Sequence, residues 1–304
     1  MATLREIKRR ITGIKATSKI TQAMKMVAAA KLRRAQDLMI AARPYSRALD
    51  SLLKDLLSNA GDEIVKSPVL FGRTQREADS DNVLLIVVSS DRGSAGAFNA
   101  NIFRFTESRI RELYPKHLES GRLGLITVGR RGSEYFAKRN YKIVEAHIGI
   151  FNKLEFATAQ QLVNKVNELY INAEYDTVEV IYNEFKSVIA QRQVAERLLP
   201  VLNKEQVVEA QHSRASFEYI YEPDPSEILD VLVPRHLETQ VWKSLIESNA
   251  AEQGARMTAM DSATKNAKDL ISTLQLSYNK ARQAAITKEI LEIVGGAEAL
   301  SQAD

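Results

Sequence analysis

Hydrophobic positions recur at two different periods along this chain, and the change of period divides it into three. Near the start, apolar or small residues return every three or four positions: Ile7, Ile11, Ile14, Ser18, Thr21, Lys25, Ala28, Leu32, Ala35 and Met39. After Pro44 the rhythm resumes at Leu49, Leu52, Leu53, Leu56 and Leu57, and Gly61 and Asp62 end it. It returns beyond Pro234 as Met260, Ala263, Ala267, Leu270, Leu274, Ser277, Ala281, Ala284, Lys288 and Leu291. Alternating three-and-four spacing lines one narrow stripe of a long helix, the stripe that packs on a partner helix. After Pro234 no proline follows, and Gly254 is the one glycine before Gly295. About 60 helical residues at ~1.5 Å each predict a rod of ~90 Å, too long for a compact domain to enclose. Two such stretches at opposite ends of one chain pair most simply as an antiparallel coiled coil.

The stripe is unusual in chemistry. Alanine, serine and threonine hold many positions where a coiled coil ordinarily has Leu or Ile. Small residues let two backbones approach closely but bury little area at ~25 cal/mol per Å². Two readings follow: one member of an all-helical bundle, or a thin shaft that fits inside a narrow sleeve.

Between the helical ends the period changes. Asn82 to Ser89 (NVLLIVVS) is a continuous β-branched and apolar run, as expected of a strand buried on both faces. An amphipathic helix follows through Leu113, then a second buried strand at Leu123 to Val128 (LGLITV) and a helical stretch near Gly132 to Lys138. Tyr141 to Ala146 offers a third strand, and Ala157 to Tyr170 a helix with Leu162, Val166 and Leu169 on one face. Thr177 to Phe185 (TVEVIYNEF) and Phe217 to Tyr221 (FEYIY) alternate as strands, while Glu63 to Ser80 reads as an exposed connection. Strand and helix in alternation predict an open, Rossmann-like α/β domain with a largely parallel sheet. The expected division is a coiled-coil helix over 1–60, the α/β domain over 61–222 and a second coiled-coil helix over 223–304.

Composition narrows the function classes. The chain has no cysteine, which excludes disulfides, thiolate metal sites and thiol chemistry. Its longest strongly apolar run, Val83 to Val88, is far too short to cross a bilayer. The N-terminus lacks the apolar core of a signal peptide. Charge is lopsided: up to Arg43 there are eleven Lys or Arg against Glu6 and Asp37, although the whole chain is only +4. A basic helix invites nucleic acid, an acidic membrane surface or an acidic protein face, and sign alone does not choose.

Candidate chemistry is sparse. Asp91 to Asn99 (DRGSAGAFN) follows the first strand, where open α/β sheets bind ligands. Gly93 and Gly96 there complete neither GxGxxG nor GxxxxGK[ST], and a tight strand-to-helix turn needs glycine for its backbone alone. Asp91 and Arg92 read as a turn-fixing salt bridge before they read as an acid and a base. His117, His147, His212 and His236 show no metal-ligand spacing.

Specific strings carry the reading further. SKITQAMKMVAAAKLRRAQ (Ser18 to Gln36), ARMTAMDSATKNAKDLI (Ala255 to Ile271) and YNKARQAAITKEILEIVGGAEAL (Tyr278 to Leu300) closely resemble the gamma-subunit family of F-type rotary ATP synthases. So do DRGSAGAFN and YIYEPDP (Tyr219 to Pro225), and the resemblance runs end to end in matching order. Ser94, Ala95, Gly96 and Ala97 stand where the family usually has Leu-Cys-Gly-Gly or similar. The cysteine-bearing chloroplast insert is absent, which resembles the bacterial form.

The resemblance implies a rotor without a catalytic, cofactor or metal site of its own. The coiled coil would stand inside the alpha/beta hexamer, and the α/β domain would pack on the epsilon subunit and the c-ring. The chain would then be peripheral to the cytoplasmic side of the inner membrane. Family rotor-contact positions fall on Met24, Lys25, Arg256, Arg282, Gln283 and Thr287. Leu291, Ile293 and Val294 would serve as contacts of a tip that outruns the first helix. Tyr219, Tyr221 and Glu222 are implied near the ring and epsilon. Two other classes remain open on the residues: a basic coiled-coil nucleic-acid binder, which lacks a dense basic region ahead of its heptads, and a nucleotide-dependent α/β enzyme, which leaves two rods unexplained.

Overall fold

The computed structural model describes residues 3–59, 68–72, 81–201, 222 and 224–301. Two compact units emerge, one of Met1–Ala28 with Met257–Asp304 and one of Ala29–Arg256. Two long helices, α1 (Leu4–Asn59) and α7 (Pro225–Ser301), contribute to both.

The larger unit is built on a sheet ordered β3-β2-β1-β4-β5. Strands β1 (Val83–Val88), β2 (Leu123–Val128), β3 (Ile143–His147) and β4 (Thr177–Phe185) run parallel, and β5 (Gln191–Leu199) lies antiparallel to β4. The central strand explains its own composition. Leu84, Ile86 and Val88 enter one apolar cluster and Val83, Leu85 and Val87 the other, so every side chain of β1 is buried. Helices α3 (Phe98–Leu113) and α5 (Arg130–Ala137) cover the second face with Ile102, Phe103, Ile110 and Phe136. The first face is covered by α6 (Phe156–Ile171) through Leu162 and Val166, by Leu53 and Leu56 of α1, and by Leu237, Val241 and Leu245 of α7. Helices on both faces of a mostly parallel sheet make this the α/β class the alternation predicted.

Two local expectations change. The short helices α2 (Pro68–Phe71) and α4 (Pro115–Glu119) were not expected. Leu70 of α2 is buried in the first cluster, so this piece of the supposed connection is core. Strand β5 escaped because an edge strand has one neighbour, and QRQVAERLL keeps polar residues on its half-exposed surface. The expected strand at 217–221 lies outside the described residues. Helix α7 spans Pro225–Ser301; a proline suits the first helical turn, and Pro234 is accommodated inside the helix.

One buried residue departs from the pattern. Glu179 lies on β4 with almost no exposure, yet its carboxylate is fully occupied. Arg109 donates to it through Nε (2.7 Å) and Nη2 (2.9 Å), and the Tyr114 hydroxyl donates at 2.8 Å. Burial, and then the neighbouring carboxylate, push the Tyr114 phenol well up, so it stays a donor.

In the smaller unit α1 and α7 pair antiparallel. Thr21 Oγ1 and Thr264 Oγ1 share a hydrogen bond of 2.7 Å, and Lys25 Nζ donates to Asp261 Oδ1 at 2.6 Å. Those two pairs set the register, which brings Ser18 opposite Ala267, Ile14 opposite Ile271, Ile11 opposite Leu274 and Ile7 opposite Tyr278. The first-helix stripe is the expected one: Ile7, Ser18, Thr21 and Ala28 are buried, and Ile11, Ile14 and Lys25 half-buried. The α7 stripe is only half as expected. Met260, Ala267, Leu274 and Ala281 hold it, but Thr264, Ile271 and Tyr278 replace Ala263, Leu270 and Ser277 between them; Leu270 and Ser277 are exposed. Apolar side chains at both 270 and 271 satisfy the spacing, and only the partner chooses. Ala284, Lys288 and Leu291 extend the expected stripe past Ala281, where the register has exhausted α1, and all three are exposed.

Candidate functional surfaces

Past Ala281, α7 is exposed at every residue from Arg282 to Gly295. Such a stretch ought to be polar on all sides, and it is not. Ile286 is 48% exposed, Ile290 54%, Leu291 66%, Ile293 66% and Val294 54%. At about 100° per residue these five side chains span about 160° of the helix. That is wider than the stripe a single partner helix covers. Arg282, Gln283 and Thr287 share this stretch; the Thr287 hydroxyl bonds back to the Gln283 carbonyl at 3.0 Å, leaving the other two side chains directed outward.

The remaining expected contact positions are distributed unevenly. Met24 is half-buried, and Lys25 is engaged by Asp261, whose second oxygen takes Lys265 at 3.0 Å. Those two ammonium groups, Lys25 first, hold the Asp261 carboxyl below its usual range. Beside them Ile20, Met26 and Val27 expose apolar surface outward from α1. Glu222 is exposed, and Tyr219 and Tyr221 lie outside the described residues.

In the larger unit the turn after β1 is held by a set of polar contacts. Ser89 Oγ donates to the Val128 carbonyl (2.9 Å) and accepts the Gly132 N–H (2.8 Å). Gly129, at φ +94°, approaches so closely that a Cβ there would lie 2.4 Å from the Ser89 carbonyl oxygen. Ser90 and Asn99 bond each other across the turn, closing it onto the start of α3. Asp91 Oδ1 accepts the N–H groups of Arg130 (3.1 Å) and Gly149 (2.8 Å), so the turn is fixed by backbone donors where a salt bridge to Arg92 was expected.

The crevice above this turn is where open α/β sheets hold ligands, beyond the carboxyl ends of the strands and beside the point where strand order reverses. Here α7 occupies it. Ala251 and Ala255 pack with Ala95, Phe98 and Phe185. A Cβ on Gly254 would meet Phe185 and the backbone of Val188 at 3.4 Å. Arg256 Nη1 donates to the Gly93 carbonyl at 2.6 Å, Nη2 reaches the Arg92 carbonyl at 3.5 Å, and Glu252 pairs with the same guanidinium. Burial raises the Glu252 carboxyl pKa, with Arg256 opposing it. Arg256, one of the expected rotor-contact positions, directs its guanidinium toward Gly93, Arg92 and Glu252. Nothing in the sequence pattern signalled this, since Gly93 lies 163 positions away. Among the described residues there is no metal-ligand cluster, and no helix is long and apolar enough to cross a membrane.

Residues 3–300 match the family model described as ATP synthase. The ATP synthase gamma chain of Chloroherpeton thalassium is 51% identical over 308 residues, covering 99% of each chain. That of Chlorobaculum tepidum is 48% identical, covering 99% of this chain and all of its own. Among solved structures, the fold resembles a chain of the Euglena gracilis mitochondrial ATP synthase OSCP/F1/c-ring assembly (TM-score 0.67, 19% identity, 98% and 94% coverage). It also resembles a chain of the Tetrahymena thermophila mitochondrial ATP synthase central stalk and c-ring (TM-score 0.59, 24% identity, 80% and 99% coverage).

Proposed function

The chain belongs to the ATP synthase gamma-chain family, the central-stalk rotor subunits of the F-type enzyme, and from that premise we propose which surfaces carry the rotation. The observation that supports the reading is the bare tip of α7. Five apolar side chains spread over about 160° of an exposed helix require an enclosing partner, and a ring of subunits around a shaft meets that requirement where one helix does not. The alpha and beta subunits are the proposed sleeve, met by Leu291, Ile293 and Val294 as an apolar contact and by Arg282, Gln283 and Thr287 as polar ones. Met24 and Lys25 supply contacts lower on the shaft, and the basic face of α1 suits acidic loops.

The sheet unit is the proposed seat on the epsilon subunit and the c-ring, with Tyr219, Tyr221 and Glu222 near them. On this reading the protein is peripheral to the cytoplasmic side of a bacterial inner membrane, held there through the ring. Proton flow turns the ring and the shaft, and the shaft's unequal faces present different contacts to each catalytic site in turn.

The test uses the complex reconstituted with alpha, beta, epsilon and ring subunits in vesicles. Leu291→Asp combined with Val294→Asp should leave assembly intact and reduce ATP-driven proton pumping, because two charges enter an apolar sleeve. Pumping and ATP turnover equal to the parent's would refute the sleeve contact.

A further inference from the structure

The geometry points to a role for Arg256 that the shaft alone does not require: we propose that Arg256, Glu252 and the turn at residues 90–96 form an internal latch joining α7 to the end of β1. Arg256 is then a positioning residue that carries torque from the sheet into the helix, and not a contact to the surrounding subunits. This rests on the rotor reading above.

Three independent observations agree. First, the Arg256 side chain is only 11% exposed, and both of its terminal nitrogens are engaged within the chain, by the Gly93 and Arg92 carbonyls and by Glu252. A guanidinium is planar and presents its donors as a rigid fork, so these bonds fix rotation of the helix about its axis as well as its height. Second, the carbonyls it grips belong to a turn that is itself immobilised. Ser90 is bonded to Asn99 on one side, and Asp91 receives N–H groups from the ends of β2 and β3 on the other. Force applied at Arg256 therefore reaches three strands. Third, the apolar half of the joint lies one turn away on the same helix. Ala251 packs with Ala95 and Phe98, and Gly254 lets the helix approach the β4–β5 hairpin at Val188. The ligand crevice of an ordinary sheet of this class is thereby filled by the chain's own helix, which turns a binding site into a joint.

The experiment compares three forms in the reconstituted complex, reading protons pumped per ATP hydrolysed. Arg256→Ala should lower that ratio by roughly fivefold or more, the lower end of a typical coupling between sites. The chain has no cysteine, so Val188→Cys with Gly254→Cys can be oxidised selectively. A Cβ at 254 lies 3.6 Å from the Val188 Cα, which keeps the two Cα atoms under the roughly 7 Å limit for a disulfide. Added to Arg256→Ala, this bond restores the joint without restoring the guanidinium, so coupling should recover on oxidation and fall again on reduction. If Arg256 acts on a neighbouring subunit, the disulfide rescues nothing and the latch is refuted. Full coupling in Arg256→Ala alone refutes it equally. The rotor reading is judged separately, by whether the parent chain couples at all in the same vesicles.

Discussion

The middle of β1 and the middle of the helical pair are both interior, but they are interior in different ways. Leu84 to Val88 have no exposed surface and consist of branched hydrocarbon. The helical seam reaches comparable burial, between 1% and 8%, with Ser18, Thr21, Ala28, Met260, Thr264 and Ala267. A fully buried Leu, Ile or Val contributes about 1.5–3 kcal/mol, whereas Ala and Ser contribute little area. The sheet unit is therefore held by bulk burial that tolerates neighbours of similar volume. The helical pair gains closeness of backbones and a specific register from Thr21 with Thr264 and Lys25 with Asp261. A thin shaft is obtained at the cost of area, and the far end of α7 is left exposed.

The contrast can be broken most forcefully where the sheet unit buries a paired carboxylate, at Glu179. Arg109→Met removes the bidentate partner of a carboxylate that has nowhere to go, and should destabilise that unit by about 3–5 kcal/mol. Urea unfolding followed by fluorescence of Trp242, which stacks edge-on against Phe156 in the same unit, measures it. An unfolding midpoint at the parent's value would mean the Glu179 site relaxes into water.

In the helical pair the corresponding blow is Leu274→Asp, which sets a charge without a partner on the seam opposite Ile11. Half-burial limits the loss to about 1–3 kcal/mol. Hydrogen exchange should show amides near Ile11 and Leu274 losing protection while those of β1 keep theirs. Equal loss in both places would show that the two units unfold together.

Register is probed more gently. Thr264→Ala removes the cross-helix partner of the Thr21 hydroxyl, which keeps its bond to the Ser18 carbonyl, and should cost at most about 1 kcal/mol, whereas Thr21→Val with Thr264→Val removes both hydroxyls and should lie close to the parent. Additive losses in that cycle would deny the hydrogen bond its register role.

The smallest expected effect separates the units by pH. His236, against Asp50 in the sheet unit, has its pKa lowered from 6.5 chiefly by burial, with the Asp50 carboxylate opposing. The folded state favours the neutral ring, so this stability is present above pH 6.5 and is lost as pH falls through the folded pKa. Asp261 in the helical pair is lowered from 3.8 by Lys25 and then Lys265, so its contribution persists to below that pH. Between pH 7 and 5 the contribution of His236 should be lost while that of Asp261 holds, so the stability difference between the parent and His236→Gln should narrow over that range. A difference unchanged over that range would place the sensitive group elsewhere.

Much of this was legible from residue order. The runs VLLIVV and LGLITV left no face for water, so β1 and β2 had to be central, and Leu162, Val166 and Leu169 announced the buried side of α6. The stripe of α1 was legible position by position because its four-three spacing holds unbroken from Ile7 to Met39, even where Ile20, Met26 and Val27 stand beside it. On α7 the stripe was ambiguous wherever two apolar residues were adjacent, as at Leu270 and Ile271. Strand β5 was hidden because an edge with one covered side need not alternate cleanly.

By itself, then, the sequence determined the elements whose hydrophobic period is unambiguous: two long helices, the parallel strands between them, and the absence of any thiol chemistry. Its motifs also carried the family, since those strings lie in the same order along the whole chain. Tertiary structure alone decided the register of the helical pair, which depends on which hydroxyl and which ammonium meet across it. It alone decided that Arg256 faces inward to Gly93, because local periodicity says nothing about a residue so distant in the chain. And it alone decided where α7 runs out of cover. An exposed Ile293 and a buried one have the same neighbours in sequence, and only the end of α1 distinguishes them.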